Sequence, residues 1–579
     1  MDKGKKFKNL FLGSIVIAIL ITYVSVVLAQ NVNKTFYFGS IIALVFVILG
    51  LVARNKSIFY KNLQYIRDNY ENGNKRARKF EDISLLFDVL KYKDPYEIYV
   101  DDQTYLDLNM DKVFEKVDRT LSSPGEQYLY YILRNPILKE QKLINRNKII
   151  TYFQNNKKIR EKIQMSFLKL GRQHINTITY FLWNKIYYKT FMKPLLYLLT
   201  ILAYGSLISI IFLGFGKVFP FILIIFAING YVSAKIKKDI GGEIASMGYL
   251  AKLIRLAVSI GAIDNKELKK YTLVLKEKAN ICKIITKKDA SIKVGRIEGV
   301  DMFYEYYNLF FLNEARGFYK IIDEVKAHSE DIRIIYLTLG EIDALISISS
   351  YRDGLLEYSQ PKLTKGLKTI KMKNIKHPLI DVAVGNSLAL NKGVIITGSN
   401  MSGKSTFLRA LGLNALFAQT IFTCLATSYE SGYFNIISSM SVCDNITSGK
   451  SYYLSEAEAL FRIINVCNEE LTSLCLIDEI FTGTNPIERV NASAEILSYL
   501  SNHNSLVAVA THDLEIATMV GDLYECHYFT ENVGEHGLEF DYQIKSGISS
   551  TRNAIKVLEF MGYPKEIIYK TNQRIINSL

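Results

Sequence analysis

The chain has 579 residues, of which 49% are hydrophobic and 22% are charged, a balance that excludes both a disordered chain and a protein embedded in a membrane throughout. Its formal net charge of +15 favours an anionic partner, either a nucleic acid or a membrane surface, although part of this excess also fits the positive-inside bias of a membrane protein. The six cysteines include no Cys-x-x-Cys pair and indicate neither a disulfide framework nor a zinc site, so we expect reduced thiols.

The first predicted elements are two uncharged apolar segments, residues 10–29 and 36–53, joined by a short polar linker. Because about 20 helical residues cross the hydrocarbon core of a bilayer, the pair predicts a transmembrane hairpin over 1–54. Lysines precede the first segment, and Arg54 and Lys56 follow the second, which predicts that both flanks are cytoplasmic. A secretory signal is the alternative interpretation of the first segment.

A second pair of uncharged apolar segments occupies residues 194–213 and 218–234. The lysines that flank this pair favour a second transmembrane hairpin over 191–236, and a buried helical core is the alternative. We therefore expect a multi-pass protein of the plasma membrane, in contact with the lipid bilayer, whose remaining parts are cytoplasmic.

The stretches around the second hairpin, residues 55–190 and 237–365, carry helical spacing and predict an all-α core and lever region. Within it, DRTLSSPGEQYLYYILRNP at 118–136 has a cap and first turn followed by apolar residues at helical spacing. Beyond YSQPKL at 358–363 the pattern changes to short β-branched strands alternating with helices. This change predicts an α/β domain over 366–579.

A phosphate-binding motif, ITGSNMSGKST, lies at residues 396–406 between an apolar strand and a helix. Its glycines permit the tight turn, and backbone N–H groups at the helix N-terminus face the phosphates. We expect Lys404 to reach the β- and γ-phosphates of ATP and Ser405 to ligate Mg²⁺. The candidate nucleotide-binding residues of this motif are Gly398, Asn400, Gly403, Lys404, Ser405 and Thr406.

Two further strand ends carry candidate catalytic residues. Asp478 and Glu479 follow an apolar strand, so Asp478 would hold Mg²⁺ and Glu479 would polarise the attacking water as general base. His512 ends a later apolar strand and would sense the γ-phosphate. Gln419 lies on or just after the helix that follows the phosphate loop, where it would link the metal to neighbouring elements.

The order of these residues matches ABC-type ATPases, in which two subunits share each nucleotide. The candidate for the motif presented to the partner subunit is DNITSGKSYYLSEAEA at 444–459, with Gly449 and Ser451 at the start of a predicted helix. We therefore expect ATP binding to close a homodimer through the ATPase domains.

Together these motifs resemble those of the MutS family, the ABC-type ATPases of DNA mismatch repair. The phosphate loop, the 444–459 motif, LIDEIFTGTNP at 476–486 and ATHD at 510–513 are each similar to motifs of that family, and the resemblance is weaker over 100–370. It implies a C-terminal P-loop ATPase domain that closes with dimerisation helices, ATP and Mg²⁺ as ligands, and DNA as a partner. The four apolar segments predict a divergent, membrane-anchored branch without the family's mismatch-recognition domain.

Two functions remain open on this basis. The first is a membrane-anchored, MutS-like ATPase that binds mismatched or branched DNA as a dimer. The second is a membrane mechanochemical ABC-type ATPase with no nucleic-acid role, in which ATP-driven closure is passed through the long helices to the hairpins.

Overall fold

The computed structural model of the chain divides into two units, each assembled from three separate stretches of sequence. The helical unit comprises Met1–Arg76, Arg119–Glu126 and Tyr152–Gly354. The mixed unit comprises Ala77–Asp118, Gln127–Thr151 and Leu355–Leu579, so the predicted helical region 55–190 is divided between the two. The residues that the structure describes are 3–73, 76–91, 93, 97–173, 177–184, 188–289, 301–399, 402–440, 452–467, 470–481, 485–534, 537–548, 558 and 561–578.

Helices make up the regular structure of the described helical unit, and further helices flank the sheets of the mixed unit. A 3-10 helix, Lys34–Phe38, joins the first two α-helices. The α-helices in chain order are α1 Lys3–Asn31, α2 Gly39–Asp68, α3 Phe80–Leu90, α4 Asp102–Asp107, α5 Met110–Val117, α6 Ser123–Arg134, α7 Glu140–Asn155, α8 Lys157–Leu170, α9 Thr177–Trp183, α10 Met192–Leu213, α11 Phe215–Gly261, α12 Lys269–Ile281, α13 Lys283–Asp289, α14 Asp301–Phe311, α15 Asn313–Ala327, α16 Ser329–Asp353, α17 Lys404–Thr420, α18 Tyr452–Val466, α19 Pro486–Ser501, α20 Leu514–Met519 and α21 Lys565–Ser578.

The strands all belong to the mixed unit. They are β1 Lys362–Leu363, β2 Ile370–Ile375, β3 Asn386–Leu390, β4 Gly393–Thr397, β5 Ser428–Ser431, β6 Asn435–Ser439, β7 Ser473–Asp478, β8 Ser505–Ala510, β9 Tyr524–Tyr528, β10 Glu531–Gly534, β11 Gly537–Phe540 and β12 Lys545–Ser546. They form a six-stranded sheet of order β12-β9-β4-β8-β7-β6, a four-stranded sheet of order β1-β5-β2-β3, and the hairpin β10-β11. The predicted α/β domain over 366–579 thus corresponds to mixed sheets with helices.

The six-stranded sheet explains why its strands are continuously apolar. β6, β7, β8, β4 and β9 pair in parallel, and only β12 pairs antiparallel. Parallel strands are covered on both faces, so β4 and β7 bury nearly every side chain. In such a sheet the carboxyl ends of parallel strands lie along one edge, which brings the segments after β4, β7 and β8 together.

Within the part of the chain that the structure describes, four helices, α1, α2, α10 and α11, are long and apolar enough to cross a membrane by length and composition. The α1–α2 hairpin packs through small residues. A Cβ atom on Gly39 would lie 2.2 Å from Ser25 Oγ, and one on Gly50 would lie 2.6 Å from Ser14 Oγ. The large apolar side chains of this hairpin instead project outward and are exposed.

The predicted helix start at 118–136 is stabilised by a carboxylate from α16. Asp343 is buried and accepts hydrogen bonds from the backbone N–H of Ser122 at 2.9 Å and from Ser122 Oγ at 2.6 Å. A Cβ atom on Gly125 would lie 2.2 Å from Asp343 Oδ2, so the glycine makes room for the carboxylate. This contact anchors the first turn of α6 on α16.

Candidate functional site

The loop between β4 and α17 has a backbone that requires glycine at two positions. Gly398 has φ +142° and Gly403 has φ +108°, both in the region that side chains disfavour. A Cβ atom on Gly398 would also lie 2.7 Å from the carbonyl oxygen of Phe529. The described part of this loop, residues 398–399 and 402–403, therefore forms a cradle of backbone that opens at the N-terminus of α17, where N–H groups favour an anion.

Lys404 is folded back over this cradle. Its buried ammonium donates hydrogen bonds to the carbonyl oxygens of Gly398 at 2.8 Å and Ser399 at 2.9 Å. The hydroxyl of Ser402 is buried without a hydrogen-bond partner in the described structure. A cation and an unpaired donor in one cradle fit the phosphate group of a nucleotide.

Asp478 and Ser405 meet beside the cradle. Asp478 ends β7, and its carboxylate is hydrogen-bonded to the Ser405 hydroxyl in the first turn of α17. Burial raises the pKa of Asp478 more than the Ser405 hydrogen bond lowers it, and the neighbouring Glu479 charge raises it further. A cation would relieve this cost. Mg²⁺ suits the two oxygens, because it is usually bound by one or two protein ligands together with phosphates and waters.

Glu479 and His512 form a close pair at the same edge of the sheet. His512 Nδ1 lies 2.9 Å from Glu479 Oε2, and the His512 backbone N–H also donates to that oxygen at 3.3 Å. Burial alone would raise the pKa of Glu479, but hydrogen bonds and charge from His512, with the charge of Lys404, outweigh it and lower the pKa. The same hydrogen bond raises the pKa of His512.

The backbone of Glu479 is strained. Its φ is +62°, a left-handed value that is uncommon for a residue with a side chain, and its N–H donates to the carbonyl oxygen of Ala510 at 2.9 Å. This bond ties the end of β7 to the end of β8, two residues before His512. The strained turn thus aims the Glu479 side chain at His512.

Lys404, Ser405, Asp478 and Glu479 line a cavity of about 660 Å³. Its lining also includes His377 and apolar or aromatic side chains, among them Ile375, Phe407, Phe529 and Tyr542. Burial, with the charge of Arg409, lowers the pKa of His377 to about 4, so its imidazole is neutral at pH 7. A cavity lined both by anion-binding groups and by apolar and aromatic side chains suits a nucleotide, which carries phosphates and a base.

The family of this region follows from sequence comparison. The family model described as MutS domain V matches residues 394–579, which include the phosphate cradle, both carboxylates and His512. This match supports membership of the MutS family. The DNA mismatch repair protein MutS of Fervidobacterium nodosum is 28% identical over 271 residues, covering 45% of this chain and 32% of that protein.

Two further MutS proteins match over a similar length. The DNA mismatch repair protein MutS of Petrotoga mobilis is 27% identical over 273 residues, covering 44% of this chain and 32% of the relative. The corresponding protein of Thermus thermophilus is 27% identical over 262 residues, covering 44% of this chain and 31% of the relative. The chain therefore spans about a third of the length of these curated relatives.

One predicted site residue lies elsewhere. Gln419 is buried near the C-terminus of α17, about 22 Å along the helix from Lys404 at 1.5 Å per residue. Its amide donates to the carbonyl oxygen of Phe434 at 2.9 Å and accepts from the Phe434 N–H at 2.7 Å. We correct the assignment accordingly, since Gln419 holds the start of β6 and does not reach the cavity.

The remaining predicted residues divide into two groups. Thr406 lies in the first turn of α17 and borders the cavity. Asn400, Gly449 and Ser451 lie outside the described residues, so the motif predicted to face a partner subunit stays a prediction.

Three residues near the site, Asp513, Arg489 and Tyr542, were not found from the sequence, because their contacts join residues that are distant in the chain. Asp513 Oδ1 lies 3.7 Å from His512 Nε2 and accepts a hydrogen bond from Arg489 of α19 at 2.8 Å. The Tyr542 ring lies against the phosphate cradle, where a Cβ atom on Gly403 would be 3.2 Å from Tyr542 Cδ1. No local pattern marks these residues. For Asp513, its position directly after His512 was the one available signal.

Helix α4 also contacts the scaffold of the site. The carboxylate of Asp107 accepts hydrogen bonds from Ser438 Oγ at 2.7 Å and from the Met440 N–H at 3.0 Å. Its backbone carbonyl accepts from Arg409 Nε of α17 at 2.8 Å. A residue from the predicted core region therefore braces both the helix after the cradle and the end of β6.

Proposed function

We propose that this chain is a membrane-anchored, MutS-like ATPase that binds ATP with Mg²⁺ and hydrolyses it. The observation that carries the proposal is the convergence of Lys404, Ser405, Asp478 and Glu479 on one cavity, with His512 bonded to Glu479. The backbone cradle, the unpaired Ser402 hydroxyl and the costly burial of Asp478 all fit a nucleotide and its cation.

Each residue then has a distinct role. Lys404 exchanges its two loop carbonyls for phosphate oxygens, so binding replaces existing hydrogen bonds of the ammonium. Ser405 and Asp478 hold the Mg²⁺ ion, which when bound neutralises phosphate charge. Glu479 is ionised, because its pKa is lowered, and accepts a proton from the attacking water. His512 must first release the Glu479 oxygen that it now occupies, which gives it a natural role in sensing the γ-phosphate.

DNA binding and dimerisation extend the proposal. The relatives are named DNA mismatch repair proteins, and the formal net charge of +15 suits a polyanion. The 444–459 motif supports a homodimer that shares nucleotides across its ATPase domains, with α21 among the closing helices that would stabilise it.

Membrane anchoring is supported by how the first hairpin packs. Helices in lipid associate through small residues and direct large apolar side chains outward, as α1 and α2 do. We propose that the chain is held in the plasma membrane by its hairpins, with the ATPase domain in the cytoplasm.

The deciding experiment measures ATP turnover and DNA binding on the detergent-solubilised full chain, with Lys404→Ala as the inactive reference. We expect ATP turnover that Lys404→Ala abolishes, and duplex, mismatched or branched DNA binding that weakens steeply as salt rises from about 50 mM. Absence of turnover in the intact chain would overturn the ATPase proposal, and absence of DNA binding at low salt would remove only the DNA part.

The second candidate, a mechanochemical membrane ATPase, is favoured by the two apolar hairpins. It predicts turnover that responds to lipid composition and is indifferent to every DNA form. Running the same assay in vesicles with and without DNA separates the two candidates directly.

A further inference from the structure

The two apolar hairpins end in chemically different tips. The first turns through residues 30–35, QNVNKT, which are polar apart from one valine. The second turns at Gly214, flanked by Phe212, which is 80% exposed, and Phe215, which is 60% exposed. A polar tip suits the water beyond a bilayer, whereas an exposed aromatic tip suits hydrocarbon.

A charged helix covers the lower half of the second hairpin. Asp323 of α15 lies 3.3 Å from the ammonium of Lys193 at the base of α10. From Asn313 to Asp323 α15 rises about 15 Å, and from Lys193 to Ala203 α10 rises about 15 Å, both at 1.5 Å per residue. The start of α15 therefore lies level with the middle of α10.

The junction of α14 and α15 is fixed to the hairpin at that level. Leu312 has φ +54° and breaks the helix, which leaves carbonyl groups at the end of α14 without helical partners. Asn229 of α11 donates to the Phe310 carbonyl at 2.6 Å, and Thr200 of α10 donates to the Phe311 carbonyl at 3.2 Å. Side chains from both hairpin helices thus donate hydrogen bonds to the carbonyl groups at the break between α14 and α15, about halfway along the hairpin.

Exposed tyrosines cluster at the same level. The Phe311 ring lies 4.5 Å from that of Tyr204 and 4.9 Å from that of Tyr307, measured between centroids. Both tyrosines and the neighbouring Tyr306 are exposed. Tyrosine is enriched where a membrane meets water, because its ring is apolar and its hydroxyl is polar. The cluster therefore marks a membrane surface halfway along the hairpin.

The length beyond this level is too short to cross. From Ala203 to Leu213 α10 rises about 15 Å, against a hydrocarbon core of about 30 Å. A full crossing would draw Glu314, Arg316 and Lys320 of α15 into the hydrocarbon. Between residues 203 and 229 the hairpin itself carries one charged residue, Lys217, whose long side chain can extend its ammonium toward the interface.

We propose that the first hairpin crosses the bilayer, whereas the second enters a single leaflet and ends near its midplane. The occupant of its exposed apolar surface is the acyl-chain region of the cytoplasmic leaflet. This replaces the predicted second transmembrane hairpin with a one-leaflet insertion, and it rests on the proposed membrane anchoring.

The test is labelling by a membrane-impermeant maleimide, with single cysteines placed in the full-length chain. Val32→Cys reports on the first tip, Phe212→Cys and Phe215→Cys on the second, and Lys237→Cys on the cytoplasmic part of α11. Intact cells are labelled first, then cells opened without detergent, and finally chain denatured in SDS.

We expect Val32→Cys to be labelled in intact cells and Lys237→Cys only after opening. Both second-tip cysteines are expected to stay unlabelled until denaturation. Labelling of either second tip in intact cells shows a full crossing, and labelling only after opening shows a tip in cytoplasmic water, so each overturns the one-leaflet insertion. A Val32→Cys that is never labelled from outside, or a chain absent from the membrane fraction, instead overturns the anchoring on which the inference rests.

Discussion

The side chain of Glu479 is ionised, as a general base must be, but its hydrogen bonds to His512 keep it from accepting a proton from water. Its ionised form is favoured, as a general base requires, but its oxygen already accepts two hydrogen bonds from His512. Asp513 and Arg489 hold the far side of the imidazole. Catalysis therefore needs a rearrangement of His512, and substitutions of single residues can test this.

Replacing Glu479 by Gln should leave ATP binding intact and slow turnover by about 10²–10⁴-fold, because the amide cannot accept the proton of the attacking water. Nucleotide affinity and single-turnover hydrolysis should be measured on the same preparation. Glu495→Gln, at an exposed carboxylate of α19, is the matched control and should hydrolyse normally. Unchanged hydrolysis in Glu479→Gln would remove Glu479 as the base.

The Glu479–His512 pair should also make stability depend on pH. The pKa of His512 is raised above its ordinary 6.5, first by the hydrogen bond to Glu479, so its stabilising effect is complete below that value and is lost as the pH rises through the raised pKa. The pKa of Glu479 is lowered, so its share is lost only as the pH falls through that lowered pKa.

The melting temperature of the nucleotide-free chain should therefore exceed that of His512→Gln by more at pH 6 than at pH 8.5. His503→Gln, at a half-buried histidine of the same unit, controls for loss of an imidazole. An equal difference at both pH values would mean that the pair does not hold in solution.

At the scale of secondary-structure elements, two helices, α6 and α17, are each held in place by the hydrogen bonds of one side chain. The first turn of α6 depends on space for Asp343, and the end of α17 depends on Gln419. Both contacts are buried, so their loss should appear in stability rather than in catalysis.

Gly125→Ala should destabilise the chain by about 1–3 kcal/mol, because the new methyl group would lie 2.2 Å from the Asp343 carboxylate. Gly248→Ala is the matched control, since a Cβ atom there meets nothing within 4 Å in the middle of α11. The alanine at 248 should be neutral or stabilising by up to about 1 kcal/mol. Denaturant unfolding of the two variants gives the comparison, and equal effects would refute the role of Gly125.

Gln419→Leu should lower stability by about 1–3 kcal/mol for each Phe434 backbone group left unpaired, with little change in ATP affinity. Thermal unfolding and nucleotide titration together decide the matter. A stable variant that loses ATP binding would return Gln419 to the nucleotide site.

The parts of the candidate site that could be predicted from the sequence are those formed by residues close together in the chain. The turn at Gly398 and Gly403, the carboxylates after β7 and the histidine after β8 are local patterns, and parallel strands bring their ends to one edge. Gln419 was misplaced because a helical residue after the loop gives no indication of which way its amide points. Arg489 and Tyr542 were missed because their contacts join residues far apart in sequence.

At the scale of the whole molecule, the basic excess has two explanations that predict different behaviour. If charge alone held the chain on anionic lipid, about 1 M salt would release it, because the Debye length then falls to about 3 Å. If the α1–α2 hairpin is inserted, the chain should stay in the membrane pellet at high salt and in alkaline carbonate. Sedimentation after each wash distinguishes them, and release by salt would contradict insertion.

The interleaving of the two units also limits how the protein can be dissected. Each unit is built from three stretches, and α6 and α7 each begin in one unit and end in the other. No single cut in the chain therefore yields both units complete, which makes separately expressed halves a poor source of either activity. A water-soluble variant should instead keep α6 and α7, where the chain passes from one unit to the other, and shorten the chain at its hairpins. One example joins α10 to the lower part of α11 through a short polar loop. In this protein the chain can be shortened at the tips of the hairpins, but not divided in the middle, where it passes between the two units.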